Sequence, residues 1–349
     1  MAPAPLAPAP LVAVAALVYH PPAVPARLVT LALQTDKPLA AYGPLAAAAE
    51  AYGFDGVTVY NDLLYQPAWL PLLEIARHTR HVRVGPAAVN PFTCHPLAIA
   101  GNLALIDEAS EGRAYLGLAR GAWLEFLGLV PARPVTALRE AFECVRRLLA
   151  RSPEPYPGRV FRLAGGDSLR WPIRRADVPF LLGAWGRQTI RACLPHVGEV
   201  KIGGTANPEA IRAVRRDLGA GRVGIVAGAV TVVDRDGAAA RALARRQAAL
   251  YLPIIARLDA TLGIEPERLA RIEAAARAYD LDGAAREVSD EVLRRVAFAG
   301  TPDEVAAQAE ELFAAGAGRV EFGTPHGIRP EDGVRLLGEA VLPALRDRG

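Results

Sequence analysis

Cysteine is nearly missing from this 349-residue chain. Cys94, Cys144 and Cys193 are its only three, spaced about fifty residues apart. Without paired spacing they exclude a cysteine-based zinc module and a disulfide-stapled scaffold, and they fit a reducing compartment. Lysine is scarcer still: Lys37 and Lys201 are the only two among 40 basic residues. The arginines that make up the rest alternate with the 37 acidic residues along helical segments, leaving a net charge of +3. Such interspersed charge is a solvated face, so no nucleic-acid partner is expected. Long apolar runs are also lacking. Leu11 to Val18 is the longest near the N-terminus, far below the ~20 residues of a membrane span. A secretory leader calls for early positive charge, whereas the first basic residue is Arg27. The expectation is a cytoplasmic protein with no membrane association. No P-loop pattern G-x-x-x-x-G-K-[ST] and no H-E-x-x-H occurs, so neither a P-loop nucleotide nor a catalytic metal is expected.

What is present is ample core material, 52% apolar against 22% charged residues, arranged in a repeating order. Residues 1–27 hold seven prolines and much alanine, the composition of an extended arm, to which Leu11 to Val18 could add an edge strand. From there β-rich runs begin near Val29, Val57, Val82, Ala114, Pro179, Val200, Val223 and Arg319, separated by 28, 25, 32, 65, 21, 23 and 96 residues. Five of these intervals match the ~30 residues of one strand, crossover helix and return. Runs such as Val57-Thr-Val-Tyr60 are apolar on both faces, as parallel strands covered by helices must be. The fold class expected is therefore α/β, a (β/α)₈ TIM barrel over residues 28–349 with insertions after strands 4 and 7; an open doubly wound sheet is the alternative. The first insertion, with Tyr156 to Ile173 rich in Gly and Pro, reads as a hairpin, and the second reads as mostly helical. Helix punctuation agrees. Thr301-Pro302-Asp303-Glu304 is a capping box ahead of a stripe of Val305, Ala309, Leu312 and Phe313; Leu138, Phe142, Val145 and Leu149 form another stripe, and Asn207-Pro208 opens a third helix.

A barrel of this kind carries its chemistry at the C-terminal ends of the strands. Small residues dominate those ends, as in Pro86-Ala-Ala-Val-Asn-Pro91 and Gly203-Gly-Thr205. In one loop this makes only a tight turn; in several it lets a flat cofactor approach the backbone. Gly183-Ala-Trp-Gly-Arg-Gln188 runs from a strand into a helix, so the amides of Gly186, Arg187 and Gln188 outline an anion site, with Arg187 able to add a bidentate contact. The candidate proton carriers are Asp62 and Glu125; Asp36 fits a solvent-facing loop charge better. Each histidine stands alone, and adjacency at a helix start does not make Cys94 and His95 a nucleophile pair. A mouth short of acids and metals suits chemistry supplied by a redox cofactor.

Two runs, Val84-Gly-Pro-Ala-Ala-Val-Asn-Pro-Phe-Thr-Cys-His-Pro96 and Ala104-Leu-Ile-Asp-Glu-Ala-Ser-Glu-Gly-Arg-Ala-Tyr-Leu-Gly-Leu-Ala-Arg-Gly121, resemble the bacterial luciferase-like oxidoreductases. The likeness is greatest to the methylenetetrahydromethanopterin reductase-like branch that uses the deazaflavin coenzyme F420. Gly183 to Gln188, Gly203-Gly-Thr-Ala-Asn-Pro208, Ala299-Gly-Thr-Pro-Asp-Glu304 and Pro325-His326-Gly327 agree with it. The resemblance implies a dimeric (β/α)₈ barrel whose deazaflavin or flavin ring stacks over a bulge in the third strand. It places a non-prolyl cis peptide at or next to Ala87-Ala88. It implies phosphate contacts at Gly186, Arg187 and Gln188, next to Trp185, and lining roles for Asn61, Asn90 and Arg120. Three departures bear on the substrate: Asn61-Asp62 where relatives carry Asp-His, Thr93-Cys94-His95-Pro96 where they carry Thr-Arg-His-Pro, and Ala122 where sugar-phosphate-oxidising members carry glutamate. The function expected is F420-dependent hydride transfer to or from a small organic substrate, with a methylene-tetrahydropterin or folate adduct as candidate. The alternatives are an FMN-dependent monooxygenase of the same fold and a non-catalytic flavin-binding relative.

Overall fold

The computed structural model describes residues 27–219 and 221–347; the Pro/Ala-rich arm, with the edge strand expected at Leu11 to Val18, lies outside them. Nine strands form, namely β1 (Leu28–Leu33), β2 (Gly56–Val59), β3 (Arg83–Pro86), β4 (Leu116–Ala119), β5 (Phe180–Gly183), β6 (Glu199–Gly203), β7 (Gly224–Val233), β8 (Ala297–Gly300) and β9 (Arg319–His326). All pair in parallel, in the order β3-β2-β1-β9-β7-β6-β5-β4. The two ends of that order meet through isolated bridges, Val84 with Ala114 and Val89 with Leu118. Eight of the nine strands thus make a nearly closed barrel, and these are the eight that the sequence spacing located.

The seam between β3 and β4 is irregular. Five steps along the third strand, from Val84 to Val89, lie opposite four along its neighbour, from Ala114 to Leu118, so one residue is extra and the chain bulges there. The bulge spans Pro86 to Ala88, and the peptide bond between Ala87 and Ala88 is cis.

The ninth strand corrects the expectation of eight. β8 is four residues, Ala-Phe-Ala-Gly, and adds to β7 at Val230–Val233, beyond the point where β6 ends its pairing at Gly228. Its small residues have weak strand preference and run directly into the capping box, so the segment reads as a helix start.

The second insertion takes the expected helical form, whereas the first keeps a single rung of the expected hairpin and forms no strand. After β4, the helix Pro134–Leu149 leads into a loop closed by one antiparallel rung between Tyr156 and Leu163. Buried Glu140 holds that loop by accepting the backbone N–H groups of Arg159, Val160 and Phe161 at 2.7–3.0 Å. After β7 come the helices Gly237–Leu258, Pro266–Arg277, Leu281–Arg286 and Asp290–Val296. The Thr301–Glu304 capping box forms reciprocally, the stripes at Val305, Ala309, Leu312, Phe313 and at Leu138, Phe142, Val145, Leu149 are buried, and Asn207 caps its helix. A fully buried aliphatic or aromatic side chain contributes about 1.5–3 kcal/mol, so these stripes hold the helical shell to the sheet.

Candidate active site at the barrel mouth

The strand alternation that points one set of side chains at the helices points the other into the barrel, and here that inner set is charged. Lys201 of β6 and Glu321 of β9 form an ion pair, with side-chain exposures of only 8% and 0%. Gly228 of β7 is in register with Glu321 on one side and with Gly203, two residues beyond Lys201, on the other. A Cβ there would come within 3.2 Å of Glu321 Oε1 and 3.3 Å of Lys201 Cε, so glycine is what lets the pair close across β7. One layer further in, Glu199 receives Arg319 at 3.3 Å and Arg83 at 3.2 Å. Both guanidinium groups lie over the Tyr115 ring, and the Tyr115 hydroxyl shares a 2.7 Å hydrogen bond with Thr58. Buried charges are tolerable only when paired in this way.

Above the Lys201–Glu321 pair the barrel is open. A cavity of about 240 Å³ lies at the C-terminal strand ends, walled largely by Ala87, Gly203, Gly228, Ala229 and Gly323 and carrying Gln34, Tyr60, Asp62 and Lys201. Gln247 and Tyr251, from the helix Gly237–Leu258, complete it. A Cβ at Gly203 would meet nothing within 4 Å, whereas one at Gly323 would strike Ala229 O at 2.6 Å and the Tyr60 hydroxyl at 2.7 Å. The first glycine leaves space; the second is required by packing. Lys201 Nζ lies 4.9 Å from the centre of the Tyr60 ring. Burial and then the charges of Glu321 and Asp62 hold the Tyr60 phenol well above its ordinary range, so it is a neutral donor. A larger hollow of about 410 Å³ lies between the outer helices Pro208–Leu218, Asp290–Val296 and Pro302–Ala314. It contains no strand-end residue, and its lining includes ion pairs such as Arg295–Glu291 at 3.2 Å.

The residues singled out from sequence divide into three groups. Asp62 and Ala87 line the cavity, and the Asp62 carboxylate accepts from Gln34 Nε2 at 2.9 Å. Trp185 stands one bond behind the wall, donating from Nε1 to Gly203 O at 3.1 Å. Ala88 faces β5: a Cβ on Gly183 would lie 3.9 Å from its own Cβ. Asn61 and Asn90 spend their side chains on their own loops. Asn61 Oδ1 accepts Ala68 N–H at 3.0 Å, while Asn90 Oδ1 accepts Phe92 N–H, Thr93 N–H and the Thr93 hydroxyl at 2.9–3.1 Å. Gly186, Arg187 and Gln188 are exposed at the start of the helix Arg187–Cys193, which no side chain caps. The Arg187 guanidinium turns to Asp217 at 2.8 Å. Arg120 and Glu125 face each other at 3.6 Å in the loop after β4, both more than half exposed and neither lining the cavity. Of the two candidate proton carriers, only Asp62 is in the site.

The histidines and cysteines behave as isolated groups. His326 Nε2 donates to Ala32 O at 2.9 Å, and burial pushes the imidazole down to about 4, so it is neutral. Exposed His95 caps the helix Pro96–Ala109, its Nδ1 accepting Leu97 N–H. Burial raises the Cys94 thiol, opposite to what a nucleophile needs. Among the described residues no group of His, Cys, Asp and Glu could hold a metal ion, and no helix is long and apolar enough to cross a membrane.

The sequence pattern did not single out Lys201, Glu321, Gln247 or Tyr251. For the first two a signal existed. Glu199-Val-Lys201 and Arg319-Val-Glu321 place charges two apart inside strands whose intervening valines are wholly buried. A parallel strand under helices has no solvated face, so such charges must point into the barrel. For Gln247 and Tyr251 there was none, because their position depends on how the inserted helix docks.

The family model described as luciferase-like monooxygenase matches residues 17–319. The chain belongs to this family. Two relatives carry the name 5,10-methylenetetrahydromethanopterin reductase. The protein from Methanopyrus kandleri is 28% identical over 347 residues, covering 90% of this chain and 97% of the relative; that from Archaeoglobus fulgidus is 27% identical over 317 residues, covering 85% and 93%. The family fold is shared with the solved structure of the coenzyme F420 dependent tetrahydromethanopterin reductase from Methanopyrus kandleri, at a TM-score of 0.83 and 24% identity over 91% of this chain and 99% of that one. It is also shared with an F420-dependent secondary alcohol dehydrogenase, at 0.73 and 17% over 92% and 99%. The monooxygenase RslO1 from Streptomyces bottropensis aligns at 0.67 and 23%, over 90% and 99%.

Proposed function

We propose that this chain is an F420-dependent oxidoreductase that moves a hydride between the deazaflavin and a carbon of a small organic substrate, with a methylene-tetrahydropterin or folate adduct as the candidate. The observation that carries the reading is the open, glycine-walled cavity at the strand ends of a luciferase-like barrel, with unfilled space beside Gly203. Its volume of about 240 Å³ lies just below the ~300 Å³ where small-molecule sites begin, which admits a ring system and leaves a cofactor's tail over the rim. The exposed, uncapped amides at Gly186 to Gln188 suit an anionic tail; there Arg187 must leave Asp217 to take part.

When bound, the deazaflavin supplies the hydride acceptor or donor at C5. The chain's part is positioning and proton handling. Ala87 and Gly203 offer flat backbone walls, and Trp185 fixes the second by gripping the Gly203 carbonyl. Holding donor and acceptor near contact distance, about 3.5 Å, removes much of the entropic barrier. Gln34 orients the Asp62 carboxyl group, the one carboxyl among the described residues that lines the cavity, and Asp62 is placed to pass a proton. Lys201 lies beneath, neutralised by Glu321. The three-cysteine composition supports a cytoplasmic location, and the family resemblance supports a homodimer.

The test is equilibrium dialysis against F420 and against FMN, followed by turnover of reduced F420 with methylene-tetrahydromethanopterin and methylene-tetrahydrofolate. Binding of F420 in preference to FMN, with oxidation of the reduced form by either adduct, is the expected result. Retention of FMN alone overturns it in favour of an FMN monooxygenase, and binding without turnover in favour of a non-catalytic relative. Light scattering of the purified protein reads its oligomeric state.

A further inference from the structure

Two loops that flank the mouth each hold a bulky apolar residue in the left-handed backbone region and expose it. Trp123, after β4, has φ 56° and is 40% exposed; Leu64, after β2, has φ 69° and is 79% exposed. Glycine or asparagine occupies such positions cheaply, and a large side chain there costs on the order of 1–2 kcal/mol. Strained backbone of this kind clusters at active sites and ligand clamps. The Trp123 backbone brings its indole to 6.3 Å from the ring of Tyr251, with the planes inclined at 56°. Tyr251 is the residue that the inserted helix contributes to the cavity wall. Its phenol is pushed up to about 12, first by burial and then by the charges of Asp62 and Tyr65, so it stays neutral. An aromatic edge therefore continues from inside the cavity out over its rim.

We propose that Trp123 and Tyr251, packed against each other, present a stacking ledge for a flat, π-bearing ring of the substrate, making Trp123 a specificity-determining residue that selects ring-bearing substrates over aliphatic ones. This rests on the reading of the cavity as the redox site. The walls of that cavity are small and suit one ring. Trp123 lies outside them and carries the ledge past the Tyr251 wall, where a second planar group would stack as the two reacting carbons meet. Stacking on an aromatic side chain requires a π face and tolerates variation in ring substituents, so the ledge selects a chemical class and not a single molecule.

The experiment uses the full chain and tetrahydrofolate as the ring probe, followed by intrinsic tryptophan fluorescence, with F420 binding measured separately. Wild type is expected to show saturable quenching. Trp123→Ala should raise the tetrahydrofolate Kd, and the KM of its methylene adduct, about tenfold or more, with kcat and the F420 Kd within about twofold. Trp123→Phe should recover most of the loss, and Trp123→Leu, equally apolar but without a π face, should not. Because Trp123 is on an exposed loop, unchanged thermal unfolding separates these effects from misfolding. The stacking ledge is overturned if wild type binds F420 but no tetrahydrofolate, if Trp123→Leu behaves as wild type, or if F420 affinity falls in step. Failure of wild type to bind F420 while tetrahydrofolate still quenches Trp123 fluorescence retires the cofactor assignment alone.

Discussion

Gly203 offers a perturbation whose effects on stability and on binding have opposite signs. Its backbone is not in the left-handed region, and a methyl group built there meets no atom within 4 Å. Gly203→Ala therefore removes conformational freedom from the unfolded chain without strain in the folded one, which stabilises by about 0.4–1 kcal/mol. The same methyl intrudes into the cavity of about 240 Å³ proposed to receive the cofactor ring. An added carbon in a packed contact costs about 1–3 kcal/mol, or roughly 5- to 150-fold in affinity. Gly203→Leu should abolish binding while the protein stays folded. Gly323→Ala is the contrasting control, since its Cβ would lie 2.6 Å from Ala229 O, and there stability itself should fall. Urea midpoints and F420 dialysis on the three variants check the pattern. If Gly203→Ala binds F420 like wild type, the ring does not occupy this space; if its stability drops with its affinity, the site is not the open volume argued for.

The other expectations follow from pairs and burial. Lys201→Met should cost about 3–5 kcal/mol in urea unfolding by leaving Glu321 charged and alone, and adding Glu321→Gln should restore most of it; a double variant no more stable than the single one contradicts the pairing. Asp62→Asn should lower kcat by about 10²–10⁴-fold with F420 affinity kept, while Glu125→Gln, exposed and outside the cavity lining, should stay within about twofold of wild type. Steady-state kinetics on both variants decide between the two carboxylates. His326 titrates at about 4 when folded and 6.5 when unfolded, so between those values the unfolded state binds more protons and stability falls as pH drops. The loss reaches about 3 kcal/mol by pH 4. His326→Asn, which suits the positive φ, should flatten urea midpoints across that window, and an unchanged slope would assign the effect to other groups.

The barrel was legible because its signals are local. Strand spacing, helix stripes and the Thr301–Glu304 box each depend on a few consecutive residues, and each is where expected. β8 escaped because Ala-Phe-Ala-Gly carries no strand preference and exists only through the overhang of β7 beyond β6. The bulge at Ala87 and Ala88 followed from family resemblance and not from propensity, since two alanines beside a proline say nothing by themselves about a bulge.

The site was harder to read, for a reason that applies to any barrel mouth. Every strand end must turn into a loop, and each turn has backbone N–H groups in need of partners. A polar side chain at a strand end is thus as able to serve its own loop as a ligand. Asn61 and Asn90 serve their loops, and Asn90-Pro-Phe-Thr93 carries the Asx-turn pattern that betrays it. Arg187 and Glu125 are engaged by Asp217 and Arg120. Inside the barrel the ambiguity disappears: a charge on a covered parallel strand has no local loop to serve and no water to face. Lys201 and Glu321 therefore needed no alignment to be placed beneath the site, only the observation that Val200 and Val320 occupy the outer face of the same strands. Tyr251 remains beyond any such argument, because which face of a long inserted helix covers the mouth is decided by tertiary docking alone.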